Sequence, residues 1–522
     1  MIKISNVRVP LGEKRYAKII SNNLNIREKD IRNVILLRKS LDARRKNIHY
    51  ICSFAFETDH EDYIVKKHHL SYYTPYVYEL LPYIKDKVLI VGSGPAGLFA
   101  AYILSLSHVD VTIVERGKRV EERIKDIDEL MNKGTLNPES NILFGEGGAG
   151  TFSDGKLTAT SKNRCVELVL KTFVKYGASE DILYNSKPHI GTDVLRKIIV
   201  NMRDNLIDNG VKFKFETKFN DLEKDHNQYK VSLTHNDHTY EESYDDVMLA
   251  IGHSARDTYE SLYHNPLIKM EPKSFAIGLR IEQSQEVINN IQYHGLKHPE
   301  LKAASYKLAV SSSNGRGVYT FCMCPGGYVV PSISEAGHLC INGMSEHRRD
   351  GKNANSAILV TVTPDDYGSD HPLSGIEYQR KIEAKAFNVS KDYRAPVQLA
   401  DDYLNYRKSN HLKNIDSTYK PGIVLSDINE ILPDYINESL HEGLVKMNKK
   451  MPGFIDEDSL LVGVETRSSS PVKILRNKDY HIDNEHIYPI GEGAGMSGGI
   501  VSSAIEGIMS AISLLKEDHH ED

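Results

Sequence analysis

Three glycines and one carboxylate stand at a spacing suited to holding phosphate and ribose. The stretch VLIVGSGPAGLFAAYILSLSHVDVTIVERG, residues 88 to 117, ends an apolar run at Gly92 and completes G-x-G-x-x-G with Gly94 and Gly97. After a second apolar run it reaches Glu115 and Arg116. Gly92 permits the tight turn, Gly94 lets a pyrophosphate approach the backbone, and Gly97 lets a helix pack closely on a sheet. The helix opening at Pro95 and Ala96 aims N–H groups and its positive dipole end at the phosphates. Glu115 ends the second strand, where a carboxylate accepts from both hydroxyls of an adenine ribose, and Arg116 joins the candidate set. Strand, glycines, helix, strand and acid in this order predict a dinucleotide-binding βαβ unit, without separating NAD from FAD.

Two later segments bear on that choice. In YDDVMLAIGHSARDT, residues 244 to 258, an apolar strand runs into Ala250, Ile251 and Gly252. In HIYPIGEGAGMSGGIVSSAIEGI, residues 486 to 508, a strand ends at Gly491, Glu492 follows, and Gly498, Gly499 and Ile500 open a helix. With them the chain resembles the two-dinucleotide-binding-domain flavoproteins of the glutathione-reductase type, whose corresponding motifs read A-T-G and G-D. Ile251 stands in place of the usual Thr and Glu492 in place of the usual Asp, which in those proteins accepts from a ribitol hydroxyl of FAD. The segments FGEGGAGTFSDGKLT (144 to 158), GRGVYTFCMCPGG (315 to 327), NGMSEHRRDGKNANSA (342 to 357) and VETRSSSPVKI (464 to 474) resemble the bacterial "uncharacterised FAD-dependent dehydrogenase" family. The resemblance implies FAD and places Gly148, Gly150 and Thr151 of the first segment against its pyrophosphate and flavin edge; non-covalent attachment is the default expectation, since flavin-linking residues have no reliable sequence sign. There is no second complete strand–G-x-G-x-x-G–helix–strand unit for a dedicated NAD(P)H domain and no C-x-x-C or C-x₄-C pair. NAD(P)H is then at most a transient electron donor.

Candidates for chemistry itself are fewer. Cys322 and Cys324 in YTFCMCPGG share a face if the segment is a regular strand. They read as redox or nucleophilic thiols near the flavin, or as small buried apolar groups. Arg280 in FAIGLRIE and Arg467 in VETRSSSP suit a carboxylate substrate or a flavin carbonyl, or equally a structural ion pair. His253 directly follows the Ala250–Gly252 turn and is the histidine nearest the cofactor. Lys156 reads as a solvated lysine, and His347-Arg348-Arg349 as a solvated loop. Gly495–Gly499 matches G-x-S-x-G, but the only acid and histidines left downstream for a hydrolase are Glu506 and the charged tail with His519 and His520. Ser497 reads instead as the N-cap of a helix from Gly498 to about Leu515, whose start faces the flavin N1–C2=O. No set of histidines or cysteines has metal spacing.

These residues need a scaffold. At 522 residues the chain is too long for one core. It is 40% hydrophobic and 26% charged, as soluble globular chains are, and its charge of −6 gives no general field for nucleic acid. No apolar run reaches the ~18–20 residues that cross a bilayer, so no membrane partner is expected. Five cysteines without paired spacing argue against a disulfide framework, and the chain reads as cytoplasmic. The expected architecture is α/β, with a discontinuous Rossmann-like FAD-binding domain at 85–258 and 460–522. An α+β cap inserted at 259–459 supplies the substrate side, and a small ferredoxin-like α/β appendage occupies 1–80. Within the cap, Arg280, Tyr319 and Cys322 are expected to approach the flavin ring. A basic hairpin tip is expected at Asp42–Asn47, a linker near 71–87, and a frayed charged tail. The function expected is a FAD-dependent oxidoreductase passing a hydride between flavin N5 and a small molecule. The alternatives are a flavoprotein that binds or modifies RNA through Arg38, Lys39, Arg44, Arg45 and Lys46, and a non-catalytic FAD-binding protein.

Overall fold

The computed structural model describes residues 1–82, 84–158 and 163–517. The charged tail beyond 517 lies outside them.

The N-terminal unit runs β1 (Ile2–Pro10), α1 (Tyr16–Leu24), β2 (Arg32–Asp42), β3 (His49–Glu57), α2 (Glu61–His68), β4 (Ser71–Tyr72). Its four strands form one antiparallel sheet of order β2-β3-β1-β4. Alternating Ile2, Ile4, Phe54 and Phe56 bury one face under the helices. The β2–β3 hairpin closes at the expected basic tip, where Arg44 pairs with Asp42. The unit is tied to the rest of the chain at two places. Lys39 exchanges backbone hydrogen bonds with Tyr184 and Ser186, and Gly12 N–H and Tyr50 OH donate to Glu300.

After an irregular linker, β5 (Lys87–Val91), α3 (Pro95–Leu106) and β6 (Asp110–Val114) form the first βαβ unit, with β5 and β6 parallel. Helix α3 is apolar on nearly every side and buried along its length, which demands cover on both flanks. Then come α4 (Val120–Lys133), α5 (Cys165–Lys175), α6 (Thr192–Asp208) and β7 (Lys212–Lys214). A three-stranded antiparallel meander follows, β8 (Thr217–Asp225), β9 (Gln228–His235), β10 (His238–Tyr244), before β11 (Asp246–Leu249) returns beside β5.

The insertion opens with α7 (Arg256–His264), β12 (Met270–Pro272), β13 (Phe275–Ser284) and α8 (Gln285–Tyr293). It continues through β14 (Ala309–Ser311), β15 (Gly317–Cys324), β16 (Tyr328–Pro331), β17 (Ile341–Met344) and β18 (Asn353–Val362). It ends with α9 (Ser374–Asn388), β19 (Ala395–Leu399), α10 (Ala400–Leu404), β20 (Ile423–Leu425), α11 (Asp434–Lys450), β21 (Leu460–Glu465) and β22 (Val472–Ile474). Seven of these strands form a sheet of order β14-β15-β18-β13-β21-β19-β20. The segment Leu460–Glu465, placed by sequence with the nucleotide-binding part, pairs here with β13 and β19. Strand β13 is buried on both faces because each faces protein. Phe275, Ile277, Leu279 and Ile281 enter the insertion's own core. Ala276, Gly278, Arg280 and Glu282 lie on the other face, where Arg280 pairs with Glu465 and Glu282 accepts from Asn353, Ser417 and Thr418.

Strand β23 (Ile487–Pro489) then pairs with β11, completing a parallel sheet of order β23-β11-β5-β6-β7. The last helix, α12 (Ile500–Glu517), covers α3. A methyl group on Gly507 would lie 2.0 Å from Ala96 O, and one on Gly97 would lie 2.0 Å from Gly92 O. Both glycines serve close packing. No helix among the described residues is long and apolar enough to cross a membrane.

Candidate functional site

Three chain segments meet at the N-terminal end of α3. Its hydrogen-bond ladder begins with Leu98 N–H donating to Gly94 O at 2.9 Å, so the N–H groups of Ala96 and Gly97 lie ahead of it. The Gly145–Gly150 loop sits opposite, and a methyl on Gly148 would reach within 3.0 Å of Gly94 Cα. A methyl on Gly150 would touch Ile500 at 2.9 Å, and one on Gly491 would touch Ala96 at 2.9 Å. In α12 the ladder begins with Ser503 N–H on Gly499 O, leaving N–H groups of Ile500 and Val501 at the same junction.

The remaining glycines test whether a dinucleotide fits. A methyl on Gly252 or Gly498 would meet nothing within 4 Å, and one on Gly94 only Gly148 Cα at 3.9 Å. These positions open onto a groove between two helix N-termini, and they are the ones where backbone would meet phosphate. The donor set is N–H groups and helix dipoles, which is the chemistry a pyrophosphate needs. The residues present therefore fit FAD.

Several candidates hold the cradle rather than line it. Glu115 is buried, and its oxygens accept from Ser93 N–H at 3.1 Å, Ser93 Oγ at 2.8 Å, Gly117 N–H at 2.9 Å and Gly145 N–H at 3.0 Å. That occupies the carboxylate's ~four acceptor sites, so Glu115 ties the glycine loop to β6 instead of facing a ribose. Arg116 is likewise engaged: four of its contacts go to Glu139 and Asp257, and the guanidinium lies 4.2 Å over Phe144. Thr151 is fully buried, and its carbonyl accepts from Thr192 Oγ1. Ser497 caps no backbone N–H; its hydroxyl pairs with Ser503 Oγ, and the helix begins at Ile500 rather than Gly498.

Sequence reasoning missed Arg123. It lies on the buried face of α4 with Val120, Ile127 and Leu130, and is 0% exposed. Its guanidinium donates to five carbonyls, those of Asn141 (2.7 Å), Ile142 (2.8 Å), Gly145 (3.2 Å), Glu146 (2.7 Å) and Gly148 (3.0 Å). Desolvation pulls its pKa down to about 9. Arg123 thereby fixes the loop's path from the carbonyl side, while the N–H groups of residues 145 to 148 go to Glu115, Lys118, Ser93 and Gly145.

His253 and Glu492 do come together, with Nε2 3.4 Å from Oε2. Desolvation pushes Glu492 up to about 7 against the pull of Lys273. Desolvation, helped by Arg467, Arg256 and Lys273, pushes His253 down to about 4. Yet 30% of the Glu492 side chain meets solvent. Folding raises the carboxyl from 4.5, so its stabilising contribution is full below that value and is lost as pH rises toward about 7. Folding lowers the histidine from 6.5, so its contribution is full above that value and is lost as pH falls toward about 4. Between 4.5 and 6.5 the two oppose one another. In cofactor-free protein, Glu492→Gln is therefore expected to lose stability as pH falls through this window. His253→Asn is expected to lose it as pH rises. Urea unfolding midpoints across the window check this, and parallel slopes in the two variants would reject the coupling.

The other chemical candidates resolve differently. Arg280 is 0% exposed and paired with Glu465 through both carboxylate oxygens, at 2.8 and 2.9 Å. Arg467 is bound to buried Glu383, which Arg256 also holds. Both arginines are structural ion pairs. The even alternation expected for Cys322 and Cys324 is broken by a bulge between Phe321 and Cys324, where Cys322 takes φ +41°. Burial pushes Cys322 up to about 12 and Cys324 up as well, against Lys156, so both are protonated thiols at neutral pH and not poised nucleophiles. Lys156 is not simply solvated: Nζ lies 3.3 Å from Asp154 and 3.8 Å from Cys324 Sγ. Nor is Arg349 a loop residue in water, since it grips the buried Asp154. Among the described residues no group of three or more His, Cys, Asp or Glu is placed to hold a metal ion.

Comparison with known proteins agrees with the cradle. Residues 85–131 match a FAD binding domain, residues 274–468 match the C-terminal domain-like model of FAD-dependent proteins, and residues 1–57 match a domain of unknown function. An "uncharacterized protein" of Clostridium beijerinckii is 40% identical over 531 aligned residues, covering 99% of both chains. Among solved structures, a tetracycline destructase matches at TM-score 0.36 and 10% identity, covering 84% of each chain. A flavoprotein/dehydrogenase from Cytophaga hutchinsonii matches at 0.34 and 13%, covering 83% of this chain and 79% of that one. A geranylgeranyl bacteriochlorophyll reductase-like protein from Thermoplasma acidophilum matches at 0.36 and 11%, covering 84% and 79%. Scores this low say nothing about activity. With FAD as its cofactor, the chain belongs to the same family as the Clostridium protein, a family of FAD-dependent oxidoreductases.

Proposed function

We infer that the protein is a dehydrogenase or reductase that passes a hydride between bound FAD and a small organic molecule entering beneath the insertion's sheet. The observation that carries this is the glycine cradle at the N-termini of α3 and α12, whose open positions fit FAD. Glu492 and His253 stand on the turns that follow β23 and β11, and they and Lys156 are each partly exposed yet strongly desolvated. FAD, when bound, supplies the two-electron chemistry. The chain's own residues position and protect. In this reading the N-termini of α3 and α12 bind the phosphates and stabilise negative charge. The Glu492–His253 pair holds a proton at Oε2 or Nε2. The seven-stranded sheet caps the site and excludes water, and the N-terminal βαββαβ unit, of ferredoxin-like strand order, is an appendage.

The test is an anaerobic titration of FAD-loaded protein with NADH, NADPH and a panel of reduced metabolites, following bleaching of the flavin band. At least one donor is expected to reduce the flavin stoichiometrically. If none does, and photoreduced protein passes electrons to no acceptor, the reading fails in favour of a structural FAD.

A further inference from the structure

The inward face of the seven-stranded sheet carries a cluster that the cofactor cradle does not use. Cys324 and Asn355 are cross-strand partners of β15 and β18, so their side chains share that face. Asn355 is 0% exposed, and its Oδ1 accepts from Arg280 Nη1 at 2.8 Å. Arginine only donates, which fixes the amide and turns Nδ2 the other way. That Nδ2 is buried with no hydrogen-bond partner. A buried unsatisfied donor costs about 1–3 kcal/mol, and this one stands beside Cys324. Lys156 reaches the same place from the glycine-loop side, with Nζ 3.8 Å from Cys324 Sγ. One third (33%) of its side chain remains exposed.

Charge at the cluster is uneven. Glu465 is neutralised by Arg280 through both oxygens, and Asp154 by Arg349 in the same way. Lys156 also pairs with Asp154, so two cations share one carboxylate and the cluster carries one positive charge in excess. Burial works against the lysine's charge, yet Asp154 holds its pKa above the ordinary lysine value, so it is an ammonium. Beside it the backbone of Cys322 sits at φ +41°, a conformation that non-glycine residues adopt at a cost and that gathers at ligand sites. Half-buried Tyr319 and Phe321 continue the same face over Ala276, Ala357 and Leu359.

We propose that Lys156 Nζ and Asn355 Nδ2 form a carboxylate subsite, and that the substrate is a small carboxylic acid whose apolar body lies along Tyr319 and Phe321. Both groups are donors, so their partner is an acceptor. One of them is a cation that must share Asp154 with Arg349, so the acceptor is an anion. The thiol of Cys324 lies 3.8 Å from Lys156 Nζ and takes no part in bond making. This assignment rests on the oxidoreductase reading, since it names that reaction's substrate class.

The probes are benzoate and acetate, titrated into FAD-loaded protein and followed by the flavin difference spectrum and by calorimetry. Saturable binding is expected, tighter for benzoate because of the aromatic pair. Lys156→Met, with FAD content unchanged, should weaken benzoate about tenfold or more. Cys324→Ser and the remote Lys449→Met should bind as wild type does. The proposal is overturned if wild-type protein binds neither probe saturably, or if Lys156→Met binds benzoate as tightly as wild type. It is also overturned if Lys156→Met loses FAD, which would assign the lysine to the cofactor. The oxidoreductase reading fails separately: a protein that binds benzoate through Lys156 but is reduced by no donor keeps the subsite and loses the reaction.

Discussion

Gly94→Val protein is expected to purify folded and colourless. Gly94 has φ −71° and ψ −178°, extended backbone in which a branched residue is at ease. A side chain there meets only Gly148 Cα, at 3.9 Å. The fold therefore tolerates it, while the added methyls stand where the pyrophosphate must come. Losing two charge-assisted hydrogen bonds, at about 1.5–3 kcal/mol each, lowers FAD affinity by at least about a hundredfold. Gly97→Val makes the contrast, because its Cβ would lie 2.0 Å from Gly92 O and the βαβ unit itself must distort. Visible absorbance, after reconstitution with FAD, and thermal melting separate the two. Stoichiometric FAD on Gly94→Val would show that the groove belongs to some other ligand. A misfolded Gly94→Val would show that this glycine does not face open space.

Replacing Arg123 is expected to have the other large effect, and through a different route. Arg123→Met removes the guanidinium from five carbonyls, of which Gly145 O and Gly148 O keep a backbone donor. Orphaned buried acceptors cost about 1–3 kcal/mol each, so a loss of at least about 3 kcal/mol is expected from the other three. Cofactor retention should fall as well, since the position of the glycine loop opposite Gly94 depends on the same cage. Arg123→Lys should not rescue either, because a compact ammonium lacks the planar fork that reaches five oxygens. Urea unfolding and FAD content are the measurements. Near wild-type stability with full FAD occupancy in Arg123→Met would refute the cage.

What the sequence disclosed follows the reach of its constraints. The βαβ unit was legible because each of its glycines answers to atoms a few residues away, and the β2–β3 hairpin because its two arms meet across a short basic tip. The turns that carry His253 and Glu492 were legible, though not that the two side chains meet. The meeting of Lys156 with Cys324 was not, because 168 residues separate them and no local pattern links a glycine-loop lysine to a strand in the insertion. The bulge at Cys322 was hidden for the same reason: a strand's register depends on its partner, not on its own residues. Glu115 shows a subtler limit. Its position was anticipated, but its acceptors were assigned to a ribose because the Ser93 hydroxyl and the Gly145 N–H that take them come from loops whose paths the motif does not encode. Arg123 did leave a trace, as a charge at an apolar position of the α4 stripe Val120, Arg123, Ile127, Leu130.

The order in which the chain is made adds a consequence of the α3–α12 packing. Strand β23 and helix α12, residues 487 to 517, finish the parallel sheet and close the cradle begun at residues 87 to 114. During synthesis, therefore, the glycine motif emerges early but has no complete socket until β23 and α12 have also left the ribosome. FAD is loaded only onto a chain that already extends through α12. A nonsense codon anywhere before α12 yields a protein that carries the recognisable motif and no cofactor.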